Sequence, residues 1–113
     1  MHELSLCKAI IETLQQGATE HDYRRVKGVR LEVGPFAAVD PEALRFAFEV
    51  ATQQGIAAGA WLEIITPSAR GRCGSCGREV VLAQRFDPCP DCGSHGVTLL
   101  SGDELRILDL EVE

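Results

Sequence analysis

The sequence predicts a small α+β domain, a three-stranded sheet with two helices, carrying an inserted four-cysteine zinc-ribbon module. Three observations lead there. A helix-period apolar stripe opens the chain, a strand, helix and strand follow in succession, and two C-x-x-C pairs interrupt the chain before a last strand. At 113 residues, 45% hydrophobic and 25% charged, the composition is that of a folded globular chain.

Residues 4–16 read as the first helix. Leu4, Cys7, Ile10, Ile11 and Leu14 recur at i, i+3 and i+4 spacing, with Lys8, Glu12, Gln15 and Gln16 on the other side and Gly17 as the expected stop. Val29, Leu31 and Val33 alternate with Arg30 and Glu32, a strand with one wet face. Asp40-Pro41-Glu42 then opens a second helix: Asp40 is the N-cap, Pro41 takes the first helical position, and Glu42 meets the positive end of the dipole. Leu44, Ala47, Phe48 and Ala51 form its buried stripe, Phe46 and Val50 add a second apolar strip, and Gly55 is the expected end. Residues 60–66 follow as a strand with Leu62 and Ile64 inward, and the strand–helix–strand order requires a parallel pair. Residues 104–112 make the third strand. Its inward alternation slips at Ile107 and Leu108, which predicts a bulge or burial on both faces. The domains on this reading are 1–66 with 103–113, and an inserted module, 67–102.

The insertion holds Cys73-Gly-Ser-Cys76 and Cys89-Pro-Asp-Cys92, with twelve residues between the pairs. Each pair is a knuckle whose two thiolates reach one ion, and Gly77 and Gly93 allow the tight turns that follow. Four thiolates in tetrahedral geometry select zinc, and a closed set of four leaves no position for water, so the zinc is structural. The competing reading is two disulfides, which a reducing compartment opposes. A 36-residue segment has too small a core to fold unaided, so metal binding and folding are expected to be coupled. Cys7, the fifth cysteine, lies on the apolar stripe of the first helix and reads as core.

Charge narrows the function. The formal charge is −6, with 6 basic and 9 acidic side chains in residues 1–66, 4 and 3 in 67–102, and 1 and 5 in 103–113. Zinc with four thiolates takes the module from +1 to about −1, which removes the electrostatic basis for nucleic-acid binding that zinc ribbons often have. A nucleic-acid-binding or regulatory ribbon is the alternative function on sequence grounds. No apolar run is long enough to span a membrane, and no basic stretch followed by an apolar one opens the chain as a signal peptide would. These features place the chain in the cytoplasm. With three histidines, none paired by sequence with a nucleophile, an enzyme is not expected.

His2 and Glu3 stand directly behind Met1. A histidine at the second position offers three nitrogens to one metal: the Met1 amine, its own backbone amide once deprotonated, and its imidazole. Planar nitrogen and oxygen donor sets suit Ni(II) and Cu(II) over zinc, and Glu3 can complete the set through its amide or carboxylate. The competing reading is a surface histidine beside a helix start. Asp40, first of all an N-cap, carries a carboxylate that could orient His2 if it packs near the chain start.

Taken over its whole length, the chain resembles the HypA/HybF family of hydrogenase nickel-incorporation proteins. The resemblance rests on MHELSL, LEVG, VDPEALRFAFEV, GA-x-LEI, the two C-x-x-C knuckles and the GDEL-x-I-x-x-LEVE ending, in that order and spacing. It implies a nickel metallochaperone that helps load Ni(II) into the large subunit of a [NiFe] hydrogenase, with the GTPase HypB as partner; some relatives also serve urease. It further implies nickel ligands centred on His2, and zinc on Cys73, Cys76, Cys89 and Cys92. Some members place histidines beside these cysteines. Here only His95, three residues after Cys92, is close, and it reads as an exposed turn residue, like His21 in its polar stretch. Open edges of a three-stranded sheet admit a homodimer.

Overall fold

The computed structural model describes residues 2–113; Met1 lies outside them. Helix α1 (His2–His21) is followed by strand β1 (Val26–Val33), helix α2 (Pro41–Ala51) and strand β2 (Trp61–Ile65). Strands β3 (Ala69–Cys73), β4 (Glu79–Leu82), β5 (Val97–Ser101) and β6 (Leu105–Val112) complete the chain. They form two compact units. One comprises the chain up to Leu31, Val39–Ile65 and Arg106–Glu113; the other comprises Glu32–Ala38 and Thr66–Leu105. This is the expected α+β class with four clustered cysteines, plus a second three-stranded sheet inside the inserted segment.

In the first unit the strand order is β2-β1-β6. Trp61 lies against Gly28 and Glu63 pairs with Arg30, so β1 and β2 advance together and are parallel. Glu113 exchanges backbone hydrogen bonds with Arg25, at 2.9 and 3.3 Å, so β6 runs antiparallel to β1. Arg30 on the central strand bridges both neighbours, reaching Glu63 at 3.4 Å and Asp109 at 2.9 Å. Cys7, Ile10 and Leu14 of α1, Leu44, Ala47 and Phe48 of α2, and Val26, Val29 and Leu31 of β1 are buried. The Cys7 thiol points at the Leu44 carbonyl 3.7 Å away. Burial, with the Glu3 carboxylate nearby, pushes that thiol's pKa up, as a core role requires.

Two expectations need correction. The first helix does not stop at Gly17 but runs on to His21, and Asp22 ends it in the left-handed region at φ 58°. Gly17 is small for a different reason: a Cβ there would sit 2.5 Å from the Tyr23 hydroxyl, which donates to the Leu14 carbonyl at 2.6 Å. The second helix ends at Ala51, ahead of Gly55. Buried Thr52 closes it, its N–H and its hydroxyl both donating to the Phe48 carbonyl at 3.0 and 2.6 Å. Phe46 and Val50, the second apolar strip, are exposed. The predicted N-cap is present, with Asp40 Oδ1 accepting from Glu42 N at 3.0 Å. In β6 the alternation does slip, and it does so with Leu108 and Asp109 both exposed, so the strand is not buried on both faces.

In the second unit β3 pairs antiparallel with both β4 and β5. Its small core gathers Ala69, Cys73, Val80, Leu82 and Cys89, with Phe36, Val97 and Leu99 packed on it. Residues 34–36 are held against the turn before β6: Gly34 N donates to Glu104 O at 2.8 Å and Phe36 N to Gly102 O at 2.7 Å. A Cβ on Gly34 would lie 2.2 Å from the Gly102 carbonyl oxygen, a backbone atom that cannot swing aside. Gly34→Ala should therefore destabilise by about 2 kcal/mol or more. Phe46→Ser, at a position 64% exposed, should change stability by less than about 0.5 kcal/mol. Denaturant melts of the two variants check both, and equal effects would contradict this account of the Gly34 contact.

Candidate metal centre

The two knuckles are built alike. Gly77 N donates to the Cys73 carbonyl at 2.9 Å and Gly93 N to the Cys89 carbonyl at 2.8 Å, and both glycines hold positive φ, at 75° and 79°. β3 delivers Cys73 as its last residue, and the turn into β4 returns Cys76. Cys89 is fixed by its N–H to the Ser94 carbonyl at 2.7 Å. All four Sγ atoms lie within 4.8 Å of one another, and among the described residues this is where several metal-ligating side chains converge.

The spacing fits a metal. A tetrahedron with metal–sulfur bonds of about 2.3 Å has edges of about 3.8 Å. Cys73 and Cys92 are 3.5 Å apart and Cys76 and Cys89 3.9 Å. These separations exceed the roughly 2.05 Å of a disulfide, and all five cysteines are free. Cys73 and Cys89 are buried, whereas Cys76 and Cys92 are exposed, so the cluster has one wet edge.

The electrostatics point the same way. Amides of Cys76 and Ser75 aim at Cys73 Sγ, at 3.5 and 3.4 Å, and lower its pKa to about 6. At Cys92 the Ser94 amide favours the thiolate. Cys73, Cys89 and Cys76, together with desolvation, outweigh it and push the pKa up to about 11. One sulfur of the 3.5 Å pair thus ionises at the expense of the other, which is how adjacent acids behave without a cation. A divalent ion lifts that penalty and ionises all four.

The other expected site residues lie elsewhere. His2 is exposed at the start of α1, and Glu3 is half-buried in its first turn. Asp40 is exposed with one carboxylate oxygen engaged as helix cap, and no described contact joins it to His2. The Met1 amine lies outside the described residues. His95 is exposed beyond the four-sulfur cluster, and His21 is the exposed last residue of α1. Sequence reading passed over Ser75 and Ser94. Their hydroxyl oxygens are 2.9 Å apart, which bridges the knuckles. The only sequence signal was a small polar residue inside one C-x-x-C and another just behind the second.

A family model described as HypA, hydrogenase/urease nickel incorporation, metallochaperone, matches residues 1–112. The chain belongs to the HypA family. Proteins described as hydrogenase maturation factor HypA are 44% identical to it in Azotobacter vinelandii and 48% identical in Acidithiobacillus ferrooxidans, in each case over the full length of both chains. A solution structure of the HypA protein superposes with a TM-score of 0.75 at 25% identity, covering 100% of this chain and 97% of that one. The solution structure of the nickel metallochaperone HypA from Helicobacter pylori gives 0.73 at 23% identity, covering 97% of this chain and 96% of the other, and so shares the fold. HypA proteins are nickel-incorporation metallochaperones of hydrogenase maturation. A four-cysteine centre consistent with zinc accompanies that role here, and no helix of the described residues is long and apolar enough to cross a membrane.

If the cluster organises the second unit, Cys76→Ala should release the metal and unfold residues 67–102, while α1 and α2 keep their helicity. Metal analysis alongside far-ultraviolet circular dichroism reads both. Loss of helix signal together with the metal would refute the independence of the two parts.

Proposed function

We propose that this HypA chain binds Ni(II) at its N-terminus and helps insert it into the large subunit of a [NiFe] hydrogenase, while Cys73, Cys76, Cys89 and Cys92 hold a structural zinc. The carrying observation is the HypA match over residues 1–112 combined with an exposed histidine at position 2. A closed tetrathiolate offers cargo neither an open position nor a planar nitrogen set, so the cargo needs a second site. His2 supplies imidazole and amide nitrogens, the Met1 amine closes the first chelate ring, and Glu3 completes the donors. Asp40 is the α2 cap, and its carboxylate is the group proposed to orient His2 when nickel is bound.

On this reading the protein is a cytoplasmic metal carrier without a catalytic step. Its partners are a HypB-type GTPase and the hydrogenase large subunit, with residues 1–66 and 103–113 as the nickel domain and 67–102 as the zinc module. Few ligands at an exposed chain start allow nickel to leave by ligand exchange while zinc stays. Open strand edges leave pairing of two copies available.

His2→Ala should abolish tight Ni(II) binding in equilibrium dialysis and leave zinc content and melting temperature unchanged, since His2 is an exposed ligand outside the core. Unaltered nickel affinity would overturn the assignment. A second test separates the amine from the imidazole. A few residues fused ahead of Met1 turn the amine into an amide without altering any side chain. Nickel affinity should fall about tenfold or more and return on proteolytic trimming, because each ~1.4 kcal/mol of lost metal–nitrogen bonding is a factor of ten. Affinity indifferent to the extension would remove Met1 from the ligand set.

A further inference from the structure

Two serines flank a pair of sulfurs that meet across the knuckles. Ser75 N–H donates to Cys73 Sγ at 3.4 Å, beside Cys76 N–H at 3.5 Å, and Ser94 stands two residues after Cys92. Cys73 and Cys92 come from different knuckles and lie 3.5 Å apart. The same two serines meet through their side chains, Oγ to Oγ at 2.9 Å. Ser94 is itself pinned on both sides: its carbonyl accepts from Cys89 N at 2.7 Å and its hydroxyl accepts from Gly96 N at 3.1 Å. With Gly96 N occupying one lone pair, the Ser94 hydroxyl retains a proton and a second lone pair for Ser75. Ser75 sits at the tip of its knuckle, exposed, on the wet edge that Cys76 and Cys92 also share.

A metal leaves a tetrathiolate when one knuckle swings from the other, and that motion starts at the wet edge because Cys73 and Cys89 are packed in the core. We propose that the Ser75–Ser94 hydroxyl pair is a clasp across the two knuckles, a positioning device that sets how fast the four-cysteine centre gives up its metal. The proposal rests on the reading that this centre holds zinc. The clasp acts through the sulfurs it positions and ligates nothing itself. The net contribution of a single hydrogen bond limits the effect of losing this one to about tenfold in rate. Its use in a nickel carrier is retention: the thiolates stay closed around one ion while another metal is exchanged elsewhere on the chain.

The test is the rate at which the zinc-loaded full chain transfers zinc to the chromophoric chelator 4-(2-pyridylazo)resorcinol. Ser75→Ala and Ser94→Ala should each release zinc about tenfold faster, with zinc per chain before mixing unchanged. The double variant should be no faster than the quicker single one, because both remove the same bond. Ser75→Thr keeps the hydroxyl and should release at the wild-type rate, which separates the clasp from any disturbance of the knuckle backbone. Single variants at the wild-type rate, or effects that multiply in the double variant, would overturn the clasp. Cobalt substitution of the wild-type chain distinguishes the two levels of inference. Absence of intense thiolate-to-cobalt charge-transfer bands would refute the tetrathiolate centre and the clasp with it. A normal cobalt spectrum with unaltered release rates would refute the clasp alone.

Discussion

Four sulfurs lie within 4.8 Å of one another, and as thiolates they would repel strongly unless a cation stood among them. Much in the second unit follows from that constraint. Two of the five buried residues in its core are the cysteines Cys73 and Cys89. A sheet of strands five, four and five residues long has little other apolar area to bury, so the ligands double as core. The amides that aim at Cys73 Sγ favour its thiolate, and the four converging sulfurs are the arrangement of a site that suits an ion. On that basis metal binding and folding of this unit are expected to be one event.

The first unit has no such dependence. Its helices bury Cys7, Ile10 and Leu14 against Leu44, Ala47 and Phe48, and its central strand is covered by apolar side chains on one face and by the Arg30 network on the other. Exposed ion pairs of that kind contribute little each, so the apolar layer carries the stability. One consequence reaches the chain start. Because Cys7 is already fully buried, order begins within the first two turns of α1, and His2 is presented from a helix end with a defined position.

Legibility of the sequence tracks how local the cause was. Asp40-Pro41-Glu42 was read correctly because capping needs only neighbours in the chain: the Asp40 carboxylate and the Glu42 amide are two residues apart. The cysteine knuckles were legible for the same reason. Gly17 and Gly55 were misread as helix stops because a glycine can also answer a distant partner. Gly17 makes room for Tyr23, and the real stops were Asp22 in the left-handed region and the doubly donating Thr52. Gly28 is the same lesson in a strand. Trp61 lies over it, and the indole N–H reaches Glu111 Oε2 at 3.0 Å on the far strand, so one side chain crosses the width of the sheet. The Ser75–Ser94 contact was illegible, since nineteen residues separate partners that share no pattern.

Carrying one metal while keeping another sets opposing demands on coordination. Cargo must leave on contact with an acceptor, which favours few ligands, an exposed position and donors that an incoming ligand can displace one at a time. A structural ion must not leave, which favours a complete tetrahedron, two buried ligands and hydrogen bonds that resist the parting of the knuckles. A single site cannot satisfy both, because each added ligand slows the exchange that delivery needs. On the function proposed above, this chain answers with donor chemistry as well as geometry. Soft thiolates in a closed tetrahedron suit zinc, and a histidine with neighbouring backbone nitrogens at an open chain start suits Ni(II). The two donor sets then differ in softness and geometry, so each favours a different ion, and nickel can exchange at its own site while the tetrathiolate stays closed.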